Sequence, residues 1–184
     1  FRFVVHRFPR RGEMILIRTW SRGTDRLSAY RDFKVLDKHD QVICEAGGQW
    51  VIICNERRKP LDMRSFSAVI PIHEEAVFQD NPVKLPKALN PGLRFIHQVN
   101  WSDLDFNFHV NNLNYLRWTL NALPHEIHRT QKIRKVEINF FREGQLGNKT
   151  EAILSRKSNQ FLGSILDIEN KMELARLRIE LQGK

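Results

Sequence analysis

Four polar side chains stand at alternate positions in one short stretch: Asp103, Asp105, Asn107 and His109, interleaved with Leu104, Phe106 and Phe108. Two carboxylates, an amide and an imidazole on one face are a set that can hold, donate and accept protons. Asn111 and Asn112 follow at once, and both are good helix N-cap residues. A helical pattern then runs to Pro124. A polar cluster beside the start of a mostly apolar helix suits acyl transfer, because backbone N–H groups there can receive a developing oxyanion.

Two elements must position these groups. If the segment before Val110 is extended, successive side chains alternate between faces, with the polar set on one and Leu104, Phe106 and Phe108 on the other. The helix is expected over Asn112–Leu123, with Leu113, Leu116, Leu120 and Leu123 spaced by three and four as its apolar face. Around this pair the chain reads as strands. In the first half these are Phe1–His6, Glu13–Ser21 as a buried strand, Arg26–Leu36 after a turn at Arg22-Gly23, and Gln41–Cys54. Gly47-Gly48 in the last of these suggests a bulge or the close approach of another element. A short helix is expected at Ile72–Phe78. In the second half the strands are Leu93–Asn100, Lys132–Phe141, Lys149–Lys157, Gln160–Glu169 and Glu173–Gln182.

Whole-chain properties bound the answer. The 184 residues allow one ordinary domain or two small ones, and 41% hydrophobic content is enough for a core. No apolar run approaches the roughly 20 residues needed to span a membrane as a helix. Lys and Arg number 30 against 21 Asp and Glu, a formal charge of +9, which favours an anionic partner. The basic residues are scattered apart from Arg10-Arg11 and Arg57-Arg58-Lys59. Cys44 and Cys54 have no Cys-x-x-Cys or Cys/His ligand spacing, so reduced structural cysteines are expected, with no disulfide and no zinc site. His6, His39, His73, His97, His125 and His128 have no partners by spacing and are read as surface or satisfied residues.

The two halves echo each other in their order of strands and turns, which points to two β-helix-ββββ repeats with a helix against a curved antiparallel sheet. The expected division is a first repeat at 1–80, a proline-rich linker at 81–92 and a second repeat at 93–184. The first repeat lacks a leading strand and helix. The chain opens at Phe1 inside an expected strand, so the reading places those elements before this sequence.

The stretch from Ser102 to Tyr115, with His109-Val-Asn-Asn112 at its centre, resembles the signature of the acyl-acyl-carrier-protein (acyl-ACP) thioesterase family. The resemblance extends to Arg7–Trp20, Arg31-Asp-Phe33, Trp50–Pro60 and Val136–Gly144, and so covers nearly the whole chain. It implies an α+β tandem (double) hot-dog fold, antiparallel sheets each wrapping a central helix, with the first repeat truncated at its N-terminus. It implies hydrolysis of acyl-ACP thioesters, releasing free fatty acids in type II fatty acid synthesis, with no cofactor and no metal. The implied catalytic set is Asp105, Asn107, His109 and Glu143. In it, His109 accepts a proton from water or another nucleophile, and Asn107 donates to the thioester carbonyl or positions water. Asp105 orients a donor or stabilises a charged imidazole, and Glu143 is a base or a water-positioning group. Several plant members have Cys just after that Glu, whereas Gly144 stands here; this favours direct attack by water and leans towards a bacterial protein.

The resemblance further implies an acyl carrier protein bearing a fatty acyl chain as partner, with Arg57, Arg58 and Lys59 as its docking candidates. It is compatible with a homodimer, and implies the bacterial cytoplasm, or the plastid stroma in a plant. Asp103 is read as a cap or turn residue, and Tyr115 and Trp118 as core or pocket wall. The rival readings are a hot-dog thioesterase acting on coenzyme A esters, a non-catalytic acyl-binding regulatory module, and a nucleic-acid-binding domain. For the last, no basic helix or aromatic stacking array is evident.

Overall fold

The computed structural model describes residues 1–54, 56–57, 59–63, 71–73, 75–89 and 92–184. The chain divides into two compact units, Phe1–Val83 and Lys84–Lys184, a boundary that falls inside the proline-rich stretch. That stretch is not wholly free of packing. Leu85 is buried in the second unit, where its N–H donates to Asn139 Oδ1 and its carbonyl accepts from Arg176 Nη1.

In the first unit, β1 (Arg2–Val5), β2 (Ile15–Thr24), β3 (Ala29–Asp37) and β4 (Val42–Trp50) form antiparallel pairs in the order β1-β4-β3-β2. A short pair follows, β5 (Ile53–Cys54) with β6 (Lys59–Pro60). Three expectations are corrected here. β2 does not turn at Arg22-Gly23: it continues through a bulge, with Gly23 at φ 112°, and the reversal comes at Asp25–Ser28, where the Asp25 carboxylate accepts the N–H groups of Leu27 and Ser28. The first half of β2 is exposed rather than buried, from Met14 through Ile17, because β2 ends the strand order and within its unit bonds to β3 alone. The described residues of Ile72–Phe78 form no helix, and Glu74 lies outside them. The close approach expected at Gly47-Gly48 is present: a Cβ at Gly47 would lie 2.9 Å from Asp32 Oδ1, and one at Gly48 would lie 2.8 Å from the Phe1 ring. Cys44 and Cys54 are free thiols, and burial pushes the Cys44 thiol upward.

In the second unit, β7 (Leu93–Gln98) is followed by α1 (Asn112–Asn121), α2 (His125–Thr130), β8 (Gln131–Phe140), β9 (Lys149–Lys157), β10 (Gln160–Asp167) and β11 (Met172–Gly183). The sheet order is β8-β11-β10-β9-β7, antiparallel throughout. The four strands of the first unit follow the same order as β8 to β11, so the two units are repeats of one topology. Alternation drives the core: Val136 and Ile138 on β8, Ala152 and Leu154 on β9, and Leu177, Ile179 and Leu181 on β11 point inward and are buried. Each such aliphatic side chain contributes about 1.5–3 kcal/mol by leaving water.

Helix α1 lies on this sheet against β7, β9, β10 and β11, which completes the hot-dog arrangement. Of the expected leucine stripe only Leu123, just past the end of the helix, is buried. Asn114, Tyr115, Trp118, Thr119 and Ala122 face the sheet, while Leu113 is 62% exposed and Leu116 and Leu120 are half-buried. The aromatic rings Tyr115 and Trp118 bury more area per residue than leucine, and they decide the rotation of the helix. Among the described residues no helix is long and apolar enough to cross a membrane.

Candidate active site

The stretch before α1 is a hairpin and not an extended strand. Asp105 N–H donates to the His109 carbonyl at 2.8 Å, Phe108 N–H donates to the Asp105 carbonyl at 3.1 Å, and Leu104 bridges Val110. Phe106 and Asn107 form the turn, and Phe108 sits at φ 61° in the left-handed region, the usual third residue of a three-residue hairpin loop. The reversal removes the expected apolar face. Phe106 is 89% and Phe108 65% exposed, and Phe108 packs on the exposed Trp101 with ring centroids 6.0 Å apart.

Each candidate residue can now be placed. Asp105 holds the loop: its Oδ1 accepts the N–H groups of Asn107 at 2.8 Å and His109 at 3.3 Å. Its hydrogen bond with His109 is therefore to the backbone N–H. Asn107 is exposed at the tip of the hairpin. His109 is half-buried on the return strand, and its Nε2 lies 3.4 Å from Glu143 Oε2. Glu143 reaches it because the segment after β8 runs beside the hairpin: Val110 N–H donates to the Gly144 carbonyl at 2.9 Å, and His109 bridges Gln145. The fold thus brings His109 and Glu143 together, ties Asp105 to the backbone beneath them, and leaves Asn107 at the rim.

Asn111 is the N-cap of α1, with its side chain accepting from Leu113 N–H at 2.9 Å. Asn112 is the first helical residue. Asn114 N–H is also engaged, donating to the Asn111 carbonyl at 2.9 Å. Two of the first helical N–H groups are therefore committed, so the helix start offers an oxyanion fewer donors than the sequence suggests.

Asp103 has the cap role expected of it, and more. Its carboxylate accepts Asn100 N–H at 2.8 Å, and its carbonyl accepts both Asn111 N–H and Asn114 Nδ2 at 2.8 Å. The same carboxylate meets His97 Nε2 at 2.7 Å. His97 is thus partnered, as His6 is by Glu45 at 3.0 Å. Its ring also stacks with Phe95 and lies 4.9 Å from the Trp118 ring. The i, i+2 spacing of Phe95 and His97 on β7 was the only sequence sign that both share the helix-facing side.

Tyr115 is 1% exposed, and its hydroxyl oxygen accepts Gly144 N–H at 2.9 Å. Burial carries the phenol up to about 12, the Gly144 N–H pulls it down, and the Glu143 and Asp105 carboxylates add to the rise. Gly144 has no room for a side chain: a Cβ there would lie 2.9 Å from Val110 Cγ2 and 3.2 Å from Tyr115 Oη. The docking candidates Arg57 and Lys59 are exposed, and Arg58 lies outside the described residues.

Repeated four-stranded topology, a helix laid on the sheet and a polar hairpin at the helix start define an α+β tandem hot-dog protein with its candidate site in the second repeat. Comparison with known proteins narrows this class. The sequence model described as the acyl-ACP thioesterase C-terminal domain matches residues 92–182, and that of the N-terminal domain matches residues 2–66. The chain therefore belongs to the acyl-ACP thioesterase family.

An acyl-[acyl-carrier-protein] hydrolase of Cuphea viscosissima, chloroplastic, is 26% identical over 98% of this chain and 47% of its own length. An oleoyl-acyl carrier protein thioesterase of Coriandrum sativum, also chloroplastic, is 26% identical over 82% of this chain and 44% of its own. The chain spans about half the length of these curated relatives. Among solved structures, an acyl-ACP thioesterase from Bacteroides thetaiotaomicron superposes with a TM-score of 0.86 at 23% identity, covering 98% of this chain and 74% of that one. The 12:0-ACP thioesterase from Umbellularia californica gives 0.88 at 23% identity, covering 100% and 73%. At this identity the superpositions establish the shared fold.

Proposed function

We propose that the protein hydrolyses thioesters of fatty acids on an acyl carrier protein and releases free fatty acids, as in type II fatty acid synthesis. The observation that carries this reading is the 3.4 Å approach of His109 Nε2 to Glu143 Oε2 beside the α1 N-terminus. Water held against the imidazole loses its proton to His109 as its oxygen bonds to the thioester carbon. The C–S bond then breaks, and the proton passes to the departing thiolate. Glu143 stabilises the charged imidazole or holds the water, and Asn107 donates to the carbonyl oxygen from the rim. Asp105 fixes the loop that carries both Asn107 and His109. Attack by water is favoured over an acyl-enzyme, because Gly144 stands where a cysteine would be needed.

The carrier protein is the proposed partner. The formal charge of +9 suits an acidic surface, and Arg57, Arg58 and Lys59 are the proposed contact. With glycine at residue 144, a bacterial cytoplasmic setting is the proposed one. The test is hydrolysis of one acyl chain presented on carrier protein and on coenzyme A by the whole protein. Faster turnover on the carrier supports the reading, and preference for coenzyme A contradicts it. Binding of acyl carrier protein without turnover of either thioester would mark an acyl-binding module instead.

A further inference from the structure

We infer that Tyr115 is a positioning residue, which holds the Glu143-Gly144 segment so that the Glu143 carboxylate faces His109. This rests on the proposed hydrolase reading and adds a residue to it. Among the contacts that hold that segment, three join it to the hairpin and the helix. Val110 N–H donates to the Gly144 carbonyl at 2.9 Å, His109 bridges Gln145, and Gly144 N–H donates to Tyr115 Oη at 2.9 Å. The first two tie the segment to the hairpin, while the third ties it to helix α1. The third comes from a side chain, so it can be removed with the backbone intact.

The surroundings make this bond hard to replace. Tyr115 is 1% exposed, wedged between Trp118 at 5.5 Å and Phe140 at 5.8 Å between ring centroids. Water has little access to satisfy Gly144 N–H if the hydroxyl is lost, and an unpaired buried donor drives its segment to move. Glu143 immediately precedes Gly144, so a peptide that rotates to find another acceptor turns the Glu143 side chain with it. The phenol also accepts from Gly144 while keeping its own proton to donate. Burial above all, and then the Glu143 and Asp105 carboxylates, raise its proton affinity.

The test is a double-mutant cycle in the whole protein with Tyr115→Phe and Glu143→Gln, read as kcat and KM on an acyl-ACP substrate. Tyr115→Phe is expected to lower kcat about 10-fold or more with KM within about 2-fold, and to add less than about 2-fold on the Glu143→Gln background. A merely structural tyrosine gives the same loss on both backgrounds, or lowers the melting temperature with kcat per folded molecule unchanged; either result overturns the proposal. Gly144→Ala pushes on Val110 Cγ2 and Tyr115 Oη with the phenol retained, and the same kcat defect is expected there. Wild-type kcat in Gly144→Ala also overturns it. His109→Ala separates the two readings: turnover unchanged in that variant sinks the hydrolase assignment, whatever Tyr115 does.

Discussion

Nε2 of His109 and Oε2 of Glu143 stand 3.4 Å apart, at the meeting of two separate chain segments. One is the hairpin that ends at Val110, and the other follows β8. They are joined by the Val110–Gly144 backbone bond, so the side-chain pair is a consequence of backbone pairing.

Replacing the Glu143 carboxylate while keeping its shape isolates its charge. Glu143→Gln is expected to lower kcat on an acyl-ACP thioester about 100-fold with KM little changed, since an acid–base partner acts in the transition state. Steady-state kinetics check this, and a rise in KM at constant kcat would reassign Glu143 to substrate binding.

Asp105 is expected to behave as a scaffold. Asp105→Asn keeps an Oδ1 acceptor for the N–H groups of Asn107 and His109, and should hold kcat within about 5-fold. Asp105→Ala removes the acceptor that closes the loop and should cost about 0.5–1.5 kcal/mol of stability for each hydrogen bond lost. Denaturant melts and kinetics on the pair decide. An inactive Asp105→Asn with a normal melt would instead make the carboxylate charge part of the chemistry.

Much of this was legible in the sequence, because periodicity and caps are local. The strands of the second repeat, the Asn111 cap and the cap role of Asp103 follow from alternation and from side chains that bond their neighbours. The hairpin was not legible: alternation at 103–109 fits an extended strand equally well, and the reversal shows in the Asp105–His109 and Asp105–Phe108 bonds, which no spacing rule encodes. The helix rotation was hidden by a regular leucine stripe, since Tyr115 and Trp118 compete for the same sheet and win by area. From the sequence Tyr115 reads as packing alone, because its bond to Gly144 spans a tertiary contact that no spacing rule encodes.

Placing the plant-type cysteine in this chain tests the room around Gly144. A Cβ at 2.9 Å from Val110 Cγ2 demands a shift, so Gly144→Cys should destabilise by about 1–3 kcal/mol and reduce kcat. Thermal melts and turnover check it. A variant as stable and active as wild type would show that the segment yields without cost.

The two tyrosines supply a pH readout. Tyr115 is carried up to about 12 chiefly by burial, and Tyr30 is raised by burial and by its bond to Asp25. A folded pKa above the ordinary value of about 10 means the folded state holds the proton longer. The stability this represents is full below about 10 and is lost as pH rises from about 10 to about 12 for Tyr115. Phenolate absorbance should show both tyrosines titrating late, with the last step absent in Tyr115→Phe. Ionisation of Tyr115 near 10 in the folded protein would contradict its burial.

The central claim is that His109, set against Glu143, is the base for thioester hydrolysis. Its most direct measurement is kcat/KM for hydrolysis of acyl-ACP by the whole protein and by His109→Ala. The account predicts turnover by the wild type and a loss of about 100-fold or more in the variant, with the melting transition preserved. Equal kcat/KM in the two proteins would contradict it.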